Sequence, residues 1–123
     1  GVSAAAAKKA AAIIVIGTAM PQGIPTPSVV LPIANVAEEE GTFTNLRGRV
    51  QRFLQAKAAP GLARPSWYAL ADLNNTLGVP SEYFLPSAVF EAMSKAERAF
   101  AGLSYDTLGL RGLPVAGATT GAA

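Results

Sequence analysis

The chain has 123 residues, of which half are hydrophobic, a net charge of +2, and neither cysteine nor histidine. The missing cysteines exclude iron–sulfur clusters, thiolate zinc sites and disulfides, and the missing histidines remove the commonest general base. The small charge, without basic clusters among aromatic residues, predicts no nucleic-acid partner. The longest apolar run, residues 10–16, is shorter than the about 20 residues that span a bilayer, so we expect no direct membrane insertion.

Two short apolar runs follow an alanine-rich start. Residues 3–12 predict a helix with Ser3 as its cap. The run Ile13-Ile14-Val15-Ile16 comes next, and Val29-Val30-Leu31 follows after an irregular, proline-rich crossover; Pro32 ends the second run. Runs of this length and composition are typical of parallel strands buried on both faces. They predict an α/β fragment, the end of a doubly wound parallel sheet.

Residues 46–55 fit two kinds of element. Leu46, Val50 and Phe53 lie at helical spacing, but the flanking residues also alternate as strands do, with residues 45–48 as a turn. Gly48 at the midpoint weakens a helix, so a hairpin is favoured over a helix.

A helical C-terminal region is predicted beyond a linker that ends at Pro65. Ser66 is expected to cap one helix and Gly78 to end it. A second helix is expected to begin at Pro86 and to carry a Glu91–Lys95 pair. The first helix has an apolar stripe that we expect in the core: Trp67, Leu70, Leu73 and Leu77.

The predicted organisation has three parts. An α/β portion covers residues 1–57, and a linker with two helices covers residues 58–113. The tail, residues 114–123, is rich in small residues and is predicted to be disordered.

Three groups of residues suggest chemistry, and each has a plainer interpretation. Residues 38–40 are glutamates, for which a solvated turn is favoured over a metal cluster. Residues 41–49 contain glycine, threonine, asparagine and arginine, which suit an anionic cofactor, but a hairpin that satisfies its own turn is favoured. Trp67 and Tyr68 suit an aromatic ligand pocket, but a core position is favoured.

Several segments resemble the molybdopterin oxidoreductase family. They are Val29-Val30-Leu31-Pro32, Gly41-Thr42-Phe43-Thr44-Asn45, the Arg49-Val50-Gln51 run and the segment from Pro60 to Trp67. The family carries a "VVLP" strand, "GTFTN", "RVQ" and a "PPGEARPDW" segment in this order. The resemblance extends from Ile13 to Leu113. Within the family, Gly48-Arg49 and the run Phe100–Gly109 are most similar to the large iron–sulfur subunit of bacterial NADH-quinone oxidoreductase, respiratory complex I.

This resemblance implies a non-redox structural portion of a longer subunit, whose parent reaction is NADH oxidation with electron transfer to quinone. The partners would be the rest of that subunit and other peripheral-arm subunits, on the cytoplasmic side of the bacterial inner membrane. Iron–sulfur clusters would lie upstream in the parent subunit. Arg47 at the family's usual acidic position and Gly48 at its first arginine weaken cofactor binding, so no molybdopterin is expected. The chain itself is expected to carry no cofactor, catalytic residue or metal. Vestigial cofactor contacts would come from Gly41, Thr44, Asn45 and Arg49.

Two alternatives remain open. The chain is a cofactor-contacting fragment of a molybdopterin enzyme such as a formate dehydrogenase, in which the same Gly41, Thr44, Asn45 and Arg49 line a dinucleotide site. Otherwise it is a stand-alone helical interaction module. If the chain is a fragment, strands 13–16 and 29–31 would expose sheet edges when it stands alone.

Overall fold

The computed structural model describes residues 4–118. In chain order the elements are α1 (Ala4–Ala7), β1 (Ile14–Gly17), β2 (Val29–Pro32), β3 (Gly41–Thr44), β4 (Arg49–Phe53), α2 (Ser66–Thr76), α3 (Pro86–Ala96), a 3₁₀ turn (Arg98–Phe100), α4 (Tyr105–Leu108) and β5 (Leu113–Pro114). The predicted α/β class, with two parallel strands, a hairpin and a helical C-terminal region, is confirmed. No helix in the described part of the chain is both long and apolar enough to cross a membrane.

Strands β1 and β2 pair in parallel, with Ile14 opposite Val29 and Gly17 opposite Pro32. The prediction that both faces are buried is wrong. Val15 is buried, but Ile14, Val29 and Val30 are each 44–48% exposed. The apolar pattern anticipates a covered sheet, whereas this sheet has two strands within residues 4–118 and is only partly covered.

The carboxyl end of β2 is tied to the segment before α2. Ile33 forms an isolated parallel bridge with Arg64. The Ala34 N–H donates to the Arg64 carbonyl at 2.8 Å, and the Arg64 N–H donates to the Pro32 carbonyl at 3.3 Å. This bridge positions the start of α2 beside the parallel sheet.

Residues 41–53 form an antiparallel hairpin, so the hairpin interpretation is confirmed and the helix is excluded. Gly41 lies opposite Phe53, and Thr44 lies opposite Val50. Strand β5 then pairs with β4 to make a three-stranded sheet.

The core joins this sheet to the C-terminal helices. Val50, Phe90 and Leu108 are 0–3% exposed and pack together. The rings of Phe90 and Phe100 meet edge to face at 6.3 Å, an arrangement that adds to the area they bury. Residues far apart in the chain therefore share one apolar cluster.

Helix α2 does not bury its predicted stripe. Leu70 is 49% and Leu77 is 69% exposed, whereas Ala69 and Ala71 are buried. The face turned toward β1 and β2 carries Tyr68, Ala69, Asp72, Leu73 and Thr76. Leu70 and Leu77 have little to pack against in the described part of the chain, whereas Leu73 lies on the packed face, so the predicted stripe identified that face only in part.

The ends of helices α2 and α3 were predicted correctly in part from local sequence signals. Helix α3 begins at Pro86 and carries the Glu91–Lys95 ion pair at 2.7 Å, both as predicted. Gly78, with φ +80°, follows the end of α2 as expected. The Ser66 cap is wrong, because Pro65 is the N-cap residue of α2 and Ser66 is its first helical residue.

The two ends of the chain differ from the sequence interpretation. The predicted N-terminal helix ends at Ala7, consistent with the marginal stability of short helices without tertiary packing; its Ser3 cap lies outside the described residues. At the other end, α4 begins with a Ser104–Thr107 capping box and β5 follows. Of the tail predicted to be disordered, Pro114 pairs with Arg49, and the N–H groups of Val115 and Ala116 donate to the carbonyls of Gly48 and Ala99; residues 119–123 lie outside the described part.

Candidate functional site

The turn of the β3–β4 hairpin is organised by Asn45. Its Oδ1 accepts hydrogen bonds from the backbone N–H groups of Arg47 at 2.9 Å and Arg49 at 3.0 Å. Its own N–H donates to the Arg49 carbonyl at 3.0 Å, and the Gly48 N–H donates to the Asn45 carbonyl at 2.9 Å. The Asn45 side chain thus satisfies its own turn, which is the plainer of the two interpretations of this residue.

Gly48 is required by two features of the turn. Its φ is +72°, a left-handed conformation that L side chains rarely adopt, and a Cβ at this position would lie 2.8 Å from the Cβ of Ala118. The Val115 N–H also donates to the Gly48 carbonyl at 2.8 Å. Gly48 therefore allows the segment after β5 to approach the hairpin.

The two arginines of the turn have different surroundings. Arg49 Nη1 donates to the carbonyl of Gly112 at 2.8 Å and to that of Arg111 at 3.3 Å, which ties β4 to the segment before β5. Arg47 is exposed, and within residues 4–118 its side chain forms no ion pair. Thr44, the last residue of β3, is exposed as well.

Gly41 lies at the other end of the hairpin. It pairs with Phe53, and a Cβ there would meet the Phe53 ring at 3.0 Å. A strand rises about 3.4 Å per residue, so Gly41 and Thr44 are separated by roughly 10 Å. The four predicted cofactor contacts therefore do not converge. Thr44, Asn45 and Arg49 lie near the turn, and Gly41 instead allows the close approach of an aromatic ring.

The three consecutive glutamates do not form a solvated turn, which corrects the favoured interpretation. Glu38 is 5% exposed, and its carboxylate accepts a hydrogen bond from the Asn35 N–H at 3.1 Å and pairs with Lys57 Nζ at 3.0 Å. The Asn35 hydrogen bond, and then Lys57, lower the pKa of Glu38. Glu39 and Glu40 are half-buried.

Glu39 caps helix α2. Its Oε2 accepts a hydrogen bond from the backbone N–H of Ser66 at 2.9 Å, and the Ser66 hydroxyl lies 3.3 Å from the same oxygen. Sequence reasoning missed this role because no local signal connects residues 27 positions apart. Within residues 4–118, no group of acidic side chains is arranged to hold a metal ion.

The turn of the hairpin offers some of the donors that an anionic organic cofactor requires. Thr44 supplies an exposed hydroxyl and Arg47 an exposed guanidinium, which is a planar donor suited to phosphate oxygens. Asn45 and Arg49 already have intramolecular partners and hold the turn in shape. The donor set therefore fits the polar part of such a cofactor through two residues, with two others as their support.

A comparison with protein families gives the decisive observation: the molybdopterin oxidoreductase family matches residues 2–76, more than half of the chain. The chain belongs to the molybdopterin oxidoreductase family. This match includes both parallel strands, the whole hairpin and α2. The family expected from the strand, "GTFTN" and "RVQ" segments is thus confirmed.

Curated relatives of this family member include formate dehydrogenases. The chain is 42% identical to the F420-dependent formate dehydrogenase 2 subunit alpha of Methanococcus maripaludis over 87 residues, which cover 69% of the chain and 13% of that protein. It is 41% identical to the putative formate dehydrogenase YrhE of Bacillus subtilis over 80 residues, which cover 65% of the chain and 8% of YrhE. A putative formate dehydrogenase of Staphylococcus aureus is 38% identical, with the same coverage. The chain spans about a tenth of the length of these relatives.

Proposed function

We propose that this chain is a cofactor-contacting portion of a molybdopterin oxidoreductase of the formate dehydrogenase type. The observation that carries the proposal is the exposed pair Thr44 and Arg47, on a turn that lies inside the region matched by the family. The formate dehydrogenase relatives support this choice of enzyme class. When bound, the cofactor supplies the two-electron redox chemistry for which no side chain of this protein is suited.

The residues of the turn have two kinds of role, contact with the cofactor and support of the turn. Arg47 departs from the family's usual acidic residue, but its guanidinium is exposed and would bind anionic oxygens of the cofactor, with the Thr44 hydroxyl supplying a neutral hydrogen bond beside it. Asn45 and Arg49 are positioning residues, because their polar atoms hold the turn and tie it to Arg111 and Gly112. Gly48 permits the turn conformation.

The NADH-quinone oxidoreductase assignment has less support. One feature that suggested it, Gly48, has a local explanation in its φ of +72°. Another, the run Phe100–Gly109, contains the capping box of α4. The curated relatives described above are formate dehydrogenases. The complex I partners and the place at the inner membrane depend on that assignment and have the same limited support.

A segment exchange tests the proposal. The aligned segment of the Methanococcus maripaludis subunit is replaced by the corresponding residues of this chain, and molybdenum content and formate-dependent dye reduction are measured in the purified protein. We expect the chimera to retain molybdenum, and the double substitution Thr44→Ala with Arg47→Ala to lower its content. Arg64→Ala is the matched control in the chimera, because Arg64 lies inside the region matched by the family and, within residues 4–118, its exposed side chain donates only to the Ala63 carbonyl.

Two outcomes would contradict the proposal. One is a soluble chimera of normal elution volume that lacks molybdenum. The other is a molybdenum content that the double substitution leaves unchanged. Calorimetric titration of the chain itself with a pterin dinucleotide gives a second measurement that does not depend on the chimera: Arg47→Ala is expected to weaken binding and Arg111→Ala to leave it unchanged.

A further inference from the structure

The end of the β3–β4 hairpin opposite the turn borders a cleft. Its volume is about 310 Å³, and it lies between the hairpin, the start of α2, α3 and α4. A second concavity of about 380 Å³ adjoins it and shares Glu39, Glu40, Trp67 and Pro86 with it. The two concavities meet at these four residues, and together we call them the groove.

The charge of the cleft is negative. Glu39 and Glu40 line it, and among the described residues no lysine or arginine does. The Glu39 carboxylate is committed to Ser66. Within the part of the chain that the structure describes, Glu40 forms neither an ion pair nor a side-chain hydrogen bond. The cleft therefore contains a half-buried carboxylate whose hydrogen-bonding capacity is unused.

The remaining walls suit the rest of a basic side chain. Phe53, Trp67 and Tyr105 line the cleft, and the faces of aromatic rings attract cations. Val89 and Met93 supply apolar surface, along which the methylene stem of arginine or lysine can lie. No lysine or arginine of residues 4–118 lines the cleft itself, but Arg64 lines the adjoining concavity and Arg52 lies against the Tyr105 ring.

We propose that this groove binds a polypeptide segment and that the cleft receives an arginine or lysine side chain of that segment. The charge complementarity selects a cation, and the aromatic and aliphatic walls select one with an apolar stem. The second concavity beside the cleft gives room for the peptide that carries this side chain. This inference does not depend on the proposed cofactor role, because it rests on different residues.

The surroundings of Tyr105 support the position of the carboxylate. Burial raises the pKa of Tyr105, the negative charge of Glu40 raises it further, and the Arg52 cation opposes this. Glu40 and Tyr105 both line the cleft. Arg52 itself lies 4.4 Å from the centroid of that ring, so the ring already interacts with one cation.

The test uses the full 123-residue chain, in which Trp67 is the one tryptophan. An acetylated and amidated Gly-Arg-Gly peptide is titrated into the protein, with Trp67 fluorescence and amide chemical shifts as readouts. The matched ligand contains citrulline in place of arginine, which keeps the shape and removes the charge. Free agmatine, a small guanidinium compound, separates a peptide site from a site for a free cation.

We expect the arginine peptide to bind about tenfold more tightly than the citrulline peptide and more tightly than agmatine. Glu40→Gln is expected to abolish most of this preference, whereas the control Glu82→Gln, at an exposed position outside the cleft, is expected to retain it. Equal binding of the two peptides, tighter binding of agmatine, or the absence of any shift at Trp67 would overturn the proposal. The comparison of ligands on the unchanged protein remains decisive if Glu40→Gln does not fold.

Discussion

The Glu39 carboxylate accepts the backbone N–H of Ser66 at 2.9 Å, so the acidic turn after β2 provides the cap of helix α2. The first N–H groups of a helix have no partner within it, and a carboxylate at this end also interacts favourably with the helix dipole. The contact joins the hairpin region to α2 through a side chain and not through a shared strand.

The first prediction concerns this cap. Glu39→Ala removes the acceptor, and we expect the free energy of unfolding to fall by about 1 kcal/mol. Ser66→Ala keeps the backbone donor and should cost less. Glu82→Ala, at an exposed site without this contact, is the control. Urea unfolding followed by circular dichroism measures all three, and a larger loss in Ser66→Ala than in Glu39→Ala would contradict the assigned role.

The second prediction concerns acid stability. The pKa of Glu38 is lowered in the folded state by the Asn35 N–H and by Lys57. The ionised form therefore stabilises the fold above the unfolded pKa of about 4.3, and this stabilisation is lost as the pH falls through the lower folded pKa. The urea midpoint is expected to fall over this acidic range, and less steeply in Glu38→Gln.

Glu91 offers the matched control for that titration. Lys95 lowers its pKa too, but both partners are exposed, so salt should screen the pair. We expect Glu91→Gln to keep most of the pH dependence of the parent protein in high salt. An unchanged profile in Glu38→Gln would show that the pairing of Glu38 has no effect on stability.

The third prediction uses glycines with similar backbone angles. Gly102 and Gly48 have φ of +79° and +72°, but a Cβ at Gly102 meets no atom within 4 Å, whereas one at Gly48 meets Ala118. Gly102→Ala should cost about 1 kcal/mol from the backbone alone. Gly48→Ala should cost about 1 kcal/mol more than Gly102→Ala, because the added methyl group overpacks against Ala118. Thermal unfolding of both variants checks the order, and equal losses would show that residues 115–118 yield without cost.

The fourth prediction concerns the C-terminal contribution to the core. Leu108 is 2% exposed and packs with Val50 and Phe90, whereas Leu110 is fully exposed. Leu108→Ala should lower the free energy of unfolding by about 2–5 kcal/mol. Leu110→Ala should change it by no more than about 0.5 kcal/mol. Chemical denaturation measures both, and comparable effects would contradict the placement of α4 in the core.

The fifth prediction separates the arginines of the turn. Arg49→Ala removes hydrogen bonds to Arg111 and Gly112 and should cost about 1 kcal/mol of stability. Arg47→Ala removes an exposed guanidinium and should leave stability unchanged. Denaturant midpoints distinguish them, and a loss in Arg47→Ala equal to that in Arg49→Ala would show that Arg47 also has a structural role.

Local signals predicted the elements that depend on neighbouring residues. The alternation around Asn45–Gly48 identified the hairpin, and Pro86 identified the start of α3. The cap of α2 was missed because its acceptor, Glu39, is brought near only by folding. The exposure of Ile14 was not predicted, because the apolar pattern of a strand does not show whether other elements cover its faces.

The candidate site was predicted only in part, because some of its contacts form only when the chain folds. Composition identified the donors of residues 41–49, but it could not show that Asn45 and Arg49 use theirs within the protein. Those partners follow from the turn geometry and from a contact 63 residues distant. The exposure of Thr44 and Arg47 is the part of the site that only the three-dimensional structure distinguishes.

The bridge between Ile33 and Arg64 couples two local opening events. Arg64 belongs to the linker that leads into α2, and its backbone also holds the carboxyl end of β2 through Pro32 and Ala34. A movement of the linker that frees α2 must break these hydrogen bonds at the same time. The amide of Ala34 is therefore expected to report, through its rate of hydrogen exchange, how often the N-terminal sheet and α2 separate. The amide of Val50, a buried core residue, is expected to exchange more slowly.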